Sequence, residues 1–275
     1  MPIGNVYISA CIITLNEERN IRDCLESVTW VDEIVVVDAL SSDGTPSICR
    51  EYTDKVVQRP WPGHVAQKNH ALSLATHQWV VCLDADERIS PELQSEIRRE
   101  LENPDDLWDG YYFPRQTFYL GRWIRHGGWY PDYKLRLFRK SKGRWAGVDP
   151  HDIVQLDGRA KRLKAPMYHY TYRDLADHVR AMNNYTDLAA AGKNRAHVKL
   201  AILHMVLNPA VKFVRMYFLK RGFLDGVPGF IVAISGSFYV FLKYAKLWEL
   251  RHASLSKRSP AAGAELAPRE APDRD

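Results

Sequence analysis

Apolar and polar positions along the first hundred residues predict strands and helices in strict succession. Val6 to Thr14 is an apolar run of strand length, and Glu17 to Trp30 sets Ile21, Cys24, Leu25 and Val28 on one helical face. Glu33 to Asp38 (EIVVVD) is a continuous apolar strand. It is followed by a short helix over Thr45 to Tyr52, a strand over Lys55 to Gln58, a helix over Val65 to Thr76 and a strand over Gln78 to Asp84. Ser90 then offers an N-cap, Pro91 suits the first helical position, and Leu93, Ile97 and Leu101 share a face. Such a succession predicts an α/β fold with a mainly parallel sheet covered on both sides. Beyond Gly110 the alternation is lost, with strand-like pieces at Tyr111 to Phe118 and Tyr133 to Arg139. A helix is predicted over Arg173 to Gly192. Another runs from His197 to Leu219, where Leu203, Leu207, Val211, Val214 and Phe218 recur at helical spacing and Pro209 is expected to kink or split it.

The apolar segment WVVCLDADE, Trp79 to Glu87, ends in Asp84 and Asp86. Residues two apart in an extended segment point the same way, so two carboxylates share one side at a strand end. Such a pair suits Mg²⁺ or Mn²⁺, which takes one or two protein carboxylates and completes its shell with water and phosphate oxygens. An isolated DxD also arises where a strand ends in a solvated acidic loop. A third carboxylate at a strand end, Asp38, separates the two readings, because ligands of open α/β sheets bind beyond the carboxyl ends of the strands. Neither a P-loop nor a GxGxxG follows any of these strands, which argues against a P-loop NTPase and a standard dinucleotide fold.

Composition sharpens this picture in two ways. The net charge of +5 is unevenly placed: nine Lys or Arg against one acid between Arg115 and Arg144, and ten against two between His197 and Arg258, which points to an anionic partner. The four cysteines lie among apolar residues with no CxxC, so reduced, buried thiols are expected. Val6 to Leu15 has no basic segment before it and no small-residue cleavage site, so it reads as a strand and the protein is expected to stay in the cytoplasm.

Four motifs in order, TLNEE (Thr14 to Glu18), VVVDALSSDGT (Val35 to Thr45), QKN (Gln67 to Asn69) and LDADE (Leu83 to Glu87), make the first half resemble the family 2 glycosyltransferases, which have the GT-A fold. WYPDYKLRLFRK, VDPHD and GFLDGVPGF followed by YAKLWE extend the resemblance to the bacterial lipopolysaccharide core β-1,4-glucosyltransferases. The resemblance implies a GT-A mixed sheet and inverting transfer of a sugar, glucose in that subgroup, from a UDP-sugar to an acceptor hydroxyl. It also implies that Asn16, Glu17 and Asp38 lie against the uridine, that Asp84 contacts ribose or metal-bound water, that Asp86 ligates the metal, and that Lys68 and Asn69 line the same pocket. One departure is Ala39-Leu40, where relatives carry small or polar residues.

Breaking a sugar–phosphate bond leaves a diphosphate whose charge a metal stabilises. Inversion in one displacement needs one carboxylate opposite, to take the acceptor proton. Candidates are Asp132, Asp149 and Asp152. Relatives carry His-Glu where this chain has His151-Asp152, which favours Asp152 and leaves His151 as a metal or diphosphate contact. Asp132 and Asp149 stand beside prolines and also read as turn residues. His169 reads as a hydrogen-bonded strand histidine in preference to a metal ligand. Arg122, Arg125, Arg136 and Lys140 are candidates for a diphosphate or an anionic acceptor. Trp123, Trp129 and Trp145 are candidates for stacking on sugars or for core packing.

Gly226 to Leu242 is an uncharged run of 17 residues with Lys220 and Arg221 before it and Lys243 and Lys246 after it. Apolar helices flanked by cations suit an anionic membrane surface; a soluble helical subdomain is the alternative. The expected organisation is a catalytic domain over 1–170 (nucleotide-sugar half 1–104, acceptor half 105–170), a helical membrane-associating region over 171–255, and a disordered tail over 256–275. The leading reading is a metal-dependent transferase acting on a lipid-linked saccharide at the cytoplasmic face of a bacterial inner membrane, peripheral or monotopic. Sugar transfer to a polyprenyl phosphate and a silent nucleotide-sugar-binding scaffold are the rivals. Nucleic-acid binding is not expected, because no reader motif is present.

Overall fold

The computed structural model describes residues 6–102, 107–148, 151–195 and 201–256. Its strands are β1 (Ile8–Thr14), β2 (Glu33–Asp38), β3 (Val56–Gln58), β4 (Trp79–Asp84), β5 (Glu87–Ile89), β6 (Gly110–Tyr119), β7 (Arg122–Trp123), β8 (Asp132–Arg139), β9 (Gly143–Val148), β10 (His151–Leu156), β11 (Ala160–Arg162) and β12 (Met167–His169). Its helices are α1 (Ile21–Glu26), α2 (Thr45–Arg50), α3 (His64–Leu74), α4 (Pro91–Glu102), α5 (Leu175–Arg195), α6 (Ala201–Val214) and α7 (Gly226–Ser256). They form two compact units, Met1–His178 with Val214–Ala233, and Val179–Phe213 with Ile234–Asp275. Val214–Ala233 lies within the first unit.

The main sheet runs β3-β2-β1-β4-β8-β6-β12-β5, with β7 and β11 on β6. Its first four strands are parallel, as the alternation predicts. From β4 onward the pairing becomes antiparallel at β8 and β6, so the sheet is mixed, as the GT-A resemblance implies and the residue pattern alone does not. Period-two side chains split the core. Ile8, Ala10, Ile12, Trp79, Val81 and Leu83 pack under α1, α2 and α4, whereas Cys11, Ile13, Val80 and Cys82 pack under α3 and Trp145 of β9. Both faces are covered, the second partly by the β9–β10 ribbon. All four cysteines are free and buried.

Local signals hold well for α4, where Leu93, Ile97 and Leu101 are buried and Leu93 N–H donates to Ser90 Oγ at 3.1 Å. The helix expected from Glu17 to Trp30 shortens to α1, because Asn16 to Glu18 build a loop instead. Pro209 sits inside α6 without ending it, and its carbonyl accepts a hydrogen bond from Ser237 Oγ at 2.7 Å. The irregularity comes later, as a π-helical turn at Arg215–Leu219. Residues 196–200, at the start of that predicted helix, and 257–275, nearly all of the predicted disordered tail, lie outside the described residues.

Candidate active site

The carboxyl ends of β1, β2 and β4 lie side by side, with Thr14 opposite Asp38 and Ile13 opposite Asp84. Above them two loops knit together. Asn16, at φ +55°, accepts the Ser42 N–H at 2.8 Å through its side chain and donates its own N–H to Ser41 Oγ at 2.8 Å. Asn tolerates this left-handed backbone better than most residues. Buried Asp38 accepts from Ser41 N–H at 2.9 Å and from Gln58 Nε2 at 2.9 Å. Glu18 closes over Gly44, whose N–H it accepts at 3.1 Å; a Cβ at Gly44 would lie 2.8 Å from the Glu18 carboxylate and displace that side chain. Asn16 and Asp38, expected against a nucleoside, therefore have hydrogen-bonding duties in the loop itself. Glu17 is held by Asn20 Nδ2 at 2.8 Å, and burial raises its carboxyl above the usual range. Thr14 Oγ1 and Gln67 Oε1, both buried, have no hydrogen-bond partner, leaving two polar groups at this edge.

Asp84 and Asp86 part company structurally. The two carboxylates are each paired. Asp84 faces α3 and β8: Lys68 Nζ lies 2.8 Å from its Oδ1 and donates to its Oδ2 at 3.2 Å, and Arg136 Nη2 donates to Oδ2 at 2.9 Å. Oδ1 touches the ammonium charge yet lacks a directional hydrogen bond. Burial opposes ionisation of Asp84, but Lys68 and Arg136 outweigh it and hold the carboxyl far below the usual range. Asp86, in the turn after β4, meets His169 Nε2 at 3.2 Å. Burial again opposes ionisation and His169 again prevails, lowering its pKa.

Arg136 reaches this site through a β-bulge. Tyr111 pairs with Leu137 and Tyr112 with Leu135, so Arg136 is the unpaired extra residue, and the bulge turns it toward Asp84 while Leu135 stays in the core. It also donates to fully buried Glu87 at 2.6 Å. Arg115 contacts Glu87 at 3.3 Å and, from the cross-strand position, donates to Asp132 at 2.7 Å. Lys68 donates to Asp152 at 2.7 Å. A chain of alternating charge thus links Asp152, Lys68, Asp84, Arg136, Glu87, Arg115 and Asp132. Trp145 lies beneath both cations, with Lys68 Nζ 4.5 Å and the Arg136 guanidinium 5.4 Å from its rings. Burial of Asp132 is outweighed by Arg115 and Lys134, which hold it ionised below the usual carboxylate range.

Other expectations resolve differently. Asn69, predicted in the pocket, spends its amide on the backbone of Trp145, donating at 2.9 Å and accepting at 3.0 Å, and so fastens α3 to β9. Lys140 donates to Ala75 O at 2.6 Å, just past the end of α3. Trp145 is a core residue, and Trp123 packs against Tyr168 with ring centroids 4.4 Å apart and the rings tilted by 30°. Asp149 and the side chain of His151 lie outside the described residues. His169, read as a structural strand residue, is brought beside Asp86 by β12, and Thr117 Oγ1 holds its other ring nitrogen at 3.4 Å.

Asp86 and His169 offer a carboxylate and an imidazole on one small volume, and among the described residues no third His, Cys, Asp or Glu joins them in a metal-binding cluster. This donor set fits a divalent cation that keeps positions open for phosphate oxygens.

A family model for glycosyl transferase family 2 matches residues 9–155. The lipopolysaccharide core biosynthesis glycosyltransferase LpsC of Rhizobium meliloti is 30% identical over 91% of this chain and 95% of its own length. An uncharacterized glycosyltransferase of Rickettsia typhi is 33% identical over 93% of this chain and 90% of its own. Among solved structures, S. aureus TarS 1–349 in complex with UDP-GlcNAc is similar at 17% identity over 92% of each chain, with a TM-score of 0.47. With the matched model spanning all four motifs and the relatives aligned over nearly the whole chain, the protein belongs to glycosyl transferase family 2 and is a glycosyltransferase.

Proposed function

We propose that this enzyme moves a sugar, glucose by its subgroup resemblance, from a UDP-sugar to a hydroxyl of a lipid-linked saccharide such as lipopolysaccharide core, with inversion. The observation that carries this reading is the pair Lys68 and Arg136 held at the strand ends between acidic partners, beside Asp86 and His169. Two fixed cations there match a diphosphate, and the relative LpsC is named for lipopolysaccharide core biosynthesis. Mg²⁺ or Mn²⁺ held by Asp86 and His169, with Asp84 adjacent, would supply Lewis-acid stabilisation of the departing diphosphate. Glu17, with Asn16 and Asp38 shaping the loop, borders the uridine. Lys68 and Arg136 bind the diphosphate oxygens. Asp152 takes the proton from the acceptor hydroxyl as its oxygen bonds to the anomeric carbon and the carbon–phosphate-oxygen bond breaks. Lys68 leaves Asp152 for the diphosphate when donor binds, which frees the carboxylate to act as base.

Incubating purified protein with a panel of UDP-sugars, Mn²⁺ and membrane extract tests the assignment. Extract-dependent release of UDP from one donor is expected, and no release from any would overturn it. Asp152→Asn should keep UDP binding but lower turnover by at least roughly a hundredfold, the contribution of a general base. Asp132 supports a second assignment of the base, since its side chain is 36% exposed against 12% for Asp152 and it is held ionised. Turnover lost in Asp132→Asn and retained in Asp152→Asn would favour it. If neither variant, nor Asp149→Asn, affects turnover, a phosphate acceptor becomes the better reading.

The domain assignment is likewise ours: 1–170 catalytic, 171–255 membrane-associating, at the cytoplasmic face of the inner membrane. Two helical stretches, Ile202–Leu219 and Gly222–His252, are long and apolar enough to cross a membrane. Ile202, Val206, Val211 and Leu219 are each more than half exposed, at 58, 62, 64 and 75%. An apolar surface flanked by cations, each Lys or Arg contributing about 1 kcal/mol near an anionic leaflet, gives salt-sensitive attachment. The protein should sediment with anionic vesicles more than with neutral ones. Changing Lys212, Arg215, Lys220 and Arg221 to Gln should weaken this. Equal binding to both vesicle types would remove the electrostatic contribution.

A further inference from the structure

Asp225 is a buried carboxylate in the first unit, 1% exposed, in a 3-10 turn (Gly222–Asp225) immediately before α7. Nothing in the chemistry above uses it. Its Oδ2 accepts the backbone N–H groups of two successive residues, Arg125 at 3.0 Å and His126 at 2.7 Å, about one hundred residues earlier in sequence. Its Oδ1 meets His126 Nδ1 at 3.1 Å, with Arg122 Nη2 at 3.8 Å. Beside it, Gly127 N–H donates to Lys220 O at 2.9 Å. The turn that carries Asp225 is itself tightly seated, since a Cβ on Gly229 would fall 2.0 Å from Gly222 O.

The segment so fastened, Ile124 to Pro131, runs directly into Asp132, the first residue of β8. It carries Trp129, packed 5.4 Å from Tyr119 and 6.0 Å from His178. An ionised acceptor binds backbone N–H groups roughly twice as strongly as a neutral one. Removing it leaves two half-buried N–H groups without this acceptor.

We infer that Asp225 is a positioning residue for the acceptor: its carboxylate fixes the loop 124–131, and through it Trp129 and the start of β8, without touching the donor site. The inference rests on the transferase reading for its kinetic consequence but not for its structural one. The donor residues proposed above lie on β1, β2, β4 and α3, with Arg136 further along β8 and His169 on β12, and the contacts of Asp225 with Arg122, Arg125 and His126 involve none of them.

The test compares Asp225→Ala with Asp225→Asn, which keeps the shape and a neutral acceptor for the same N–H groups. Hydrogen exchange by mass spectrometry should show faster exchange over 124–128 in the alanine variant, little change in the asparagine variant, and none over Ile8–Thr14 or Trp79–Asp84. With core-truncated lipopolysaccharide as acceptor probe, kcat/KM for the acceptor should fall roughly a hundredfold in the alanine variant, the cost of a small misplacement. In the asparagine variant it should fall several-fold, while the Kd for UDP with Mn²⁺ stays unchanged in both. Should the alanine variant fail to fold, the asparagine variant carries the same comparison of acceptor kcat/KM against UDP affinity. Unchanged acceptor kinetics, or a loss of UDP affinity equal to the loss of transfer, would overturn the inference. A wild-type protein that turns over no UDP-sugar would overturn the transferase reading instead, and the exchange result would then decide the positioning role alone.

Discussion

Replacing Asp86 by alanine is expected to lower sugar transfer by roughly a thousandfold or more, since an electrostatic contact that strengthens as charge develops on the leaving group is among the largest contributions to catalysis. The fold should survive. Asp86 stands in a turn with its side chain 22% exposed, paired with His169, 12% exposed. The cost of the cavity is correspondingly small. Turnover at saturating donor and UDP binding with and without Mn²⁺ measure the two halves of the effect. Near-normal turnover in the variant, or binding that ignores the metal, would contradict the nucleotide-sugar assignment.

The largest effect on stability is expected from Glu87→Ala. Glu87 is fully buried, its Oε1 takes Arg136 at 2.6 Å and Arg115 at 3.3 Å, and its Oε2 accepts the Asp84 N–H at 3.1 Å. Removing one member of a buried ionic cluster strands its partners and typically costs about 3–5 kcal/mol. Arg136, 4% exposed, would then keep Asp84 as its carboxylate partner among the described residues. Glu87→Gln keeps the acceptor atoms for one guanidinium and should cost less. Chemical denaturation of the two variants measures the difference, and equal, near-zero costs would show that the cluster contributes no net stability. Because Arg136 also faces Asp84, the alanine variant should lose UDP affinity as well.

The parallel half of the fold was legible because its signals are local. Apolar runs of strand length end at Thr14, Asp38 and Asp84, and helix α4 declares itself by its cap and its periodicity. The antiparallel half was less so. Strand β12 is three residues long and gains its identity only by pairing with β5 and β6, some fifty to eighty residues away. His169 therefore carried no local mark of its meeting with Asp86. Arg136 was visible as an arginine among apolar residues, but the bulge that turns it inward follows from the register against Tyr111 and Tyr112. Asn69, a polar residue in a recognised motif expected in the pocket, uses its amide to join α3 to β9. Short motifs mark the strand ends, while the division between ligand contact and loop construction depends on hydrogen bonds across sequence distance. The helix shortened to α1 makes the same point, since Asn16 and Glu18 satisfy the loop from Ser41 to Gly44 in preference to continuing a helical pattern.

The most direct test of the central claim is a crystal structure with UDP and Mn²⁺, read by the anomalous signal of the metal. One peak is expected between the Asp86 carboxylate, His169 Nε2 and the diphosphate, with Lys68 and Arg136 on the phosphate oxygens and the uridine beyond the ends of β1 and β2. Nucleotide bound away from these strand ends, or a metal peak lacking Asp86, would contradict it.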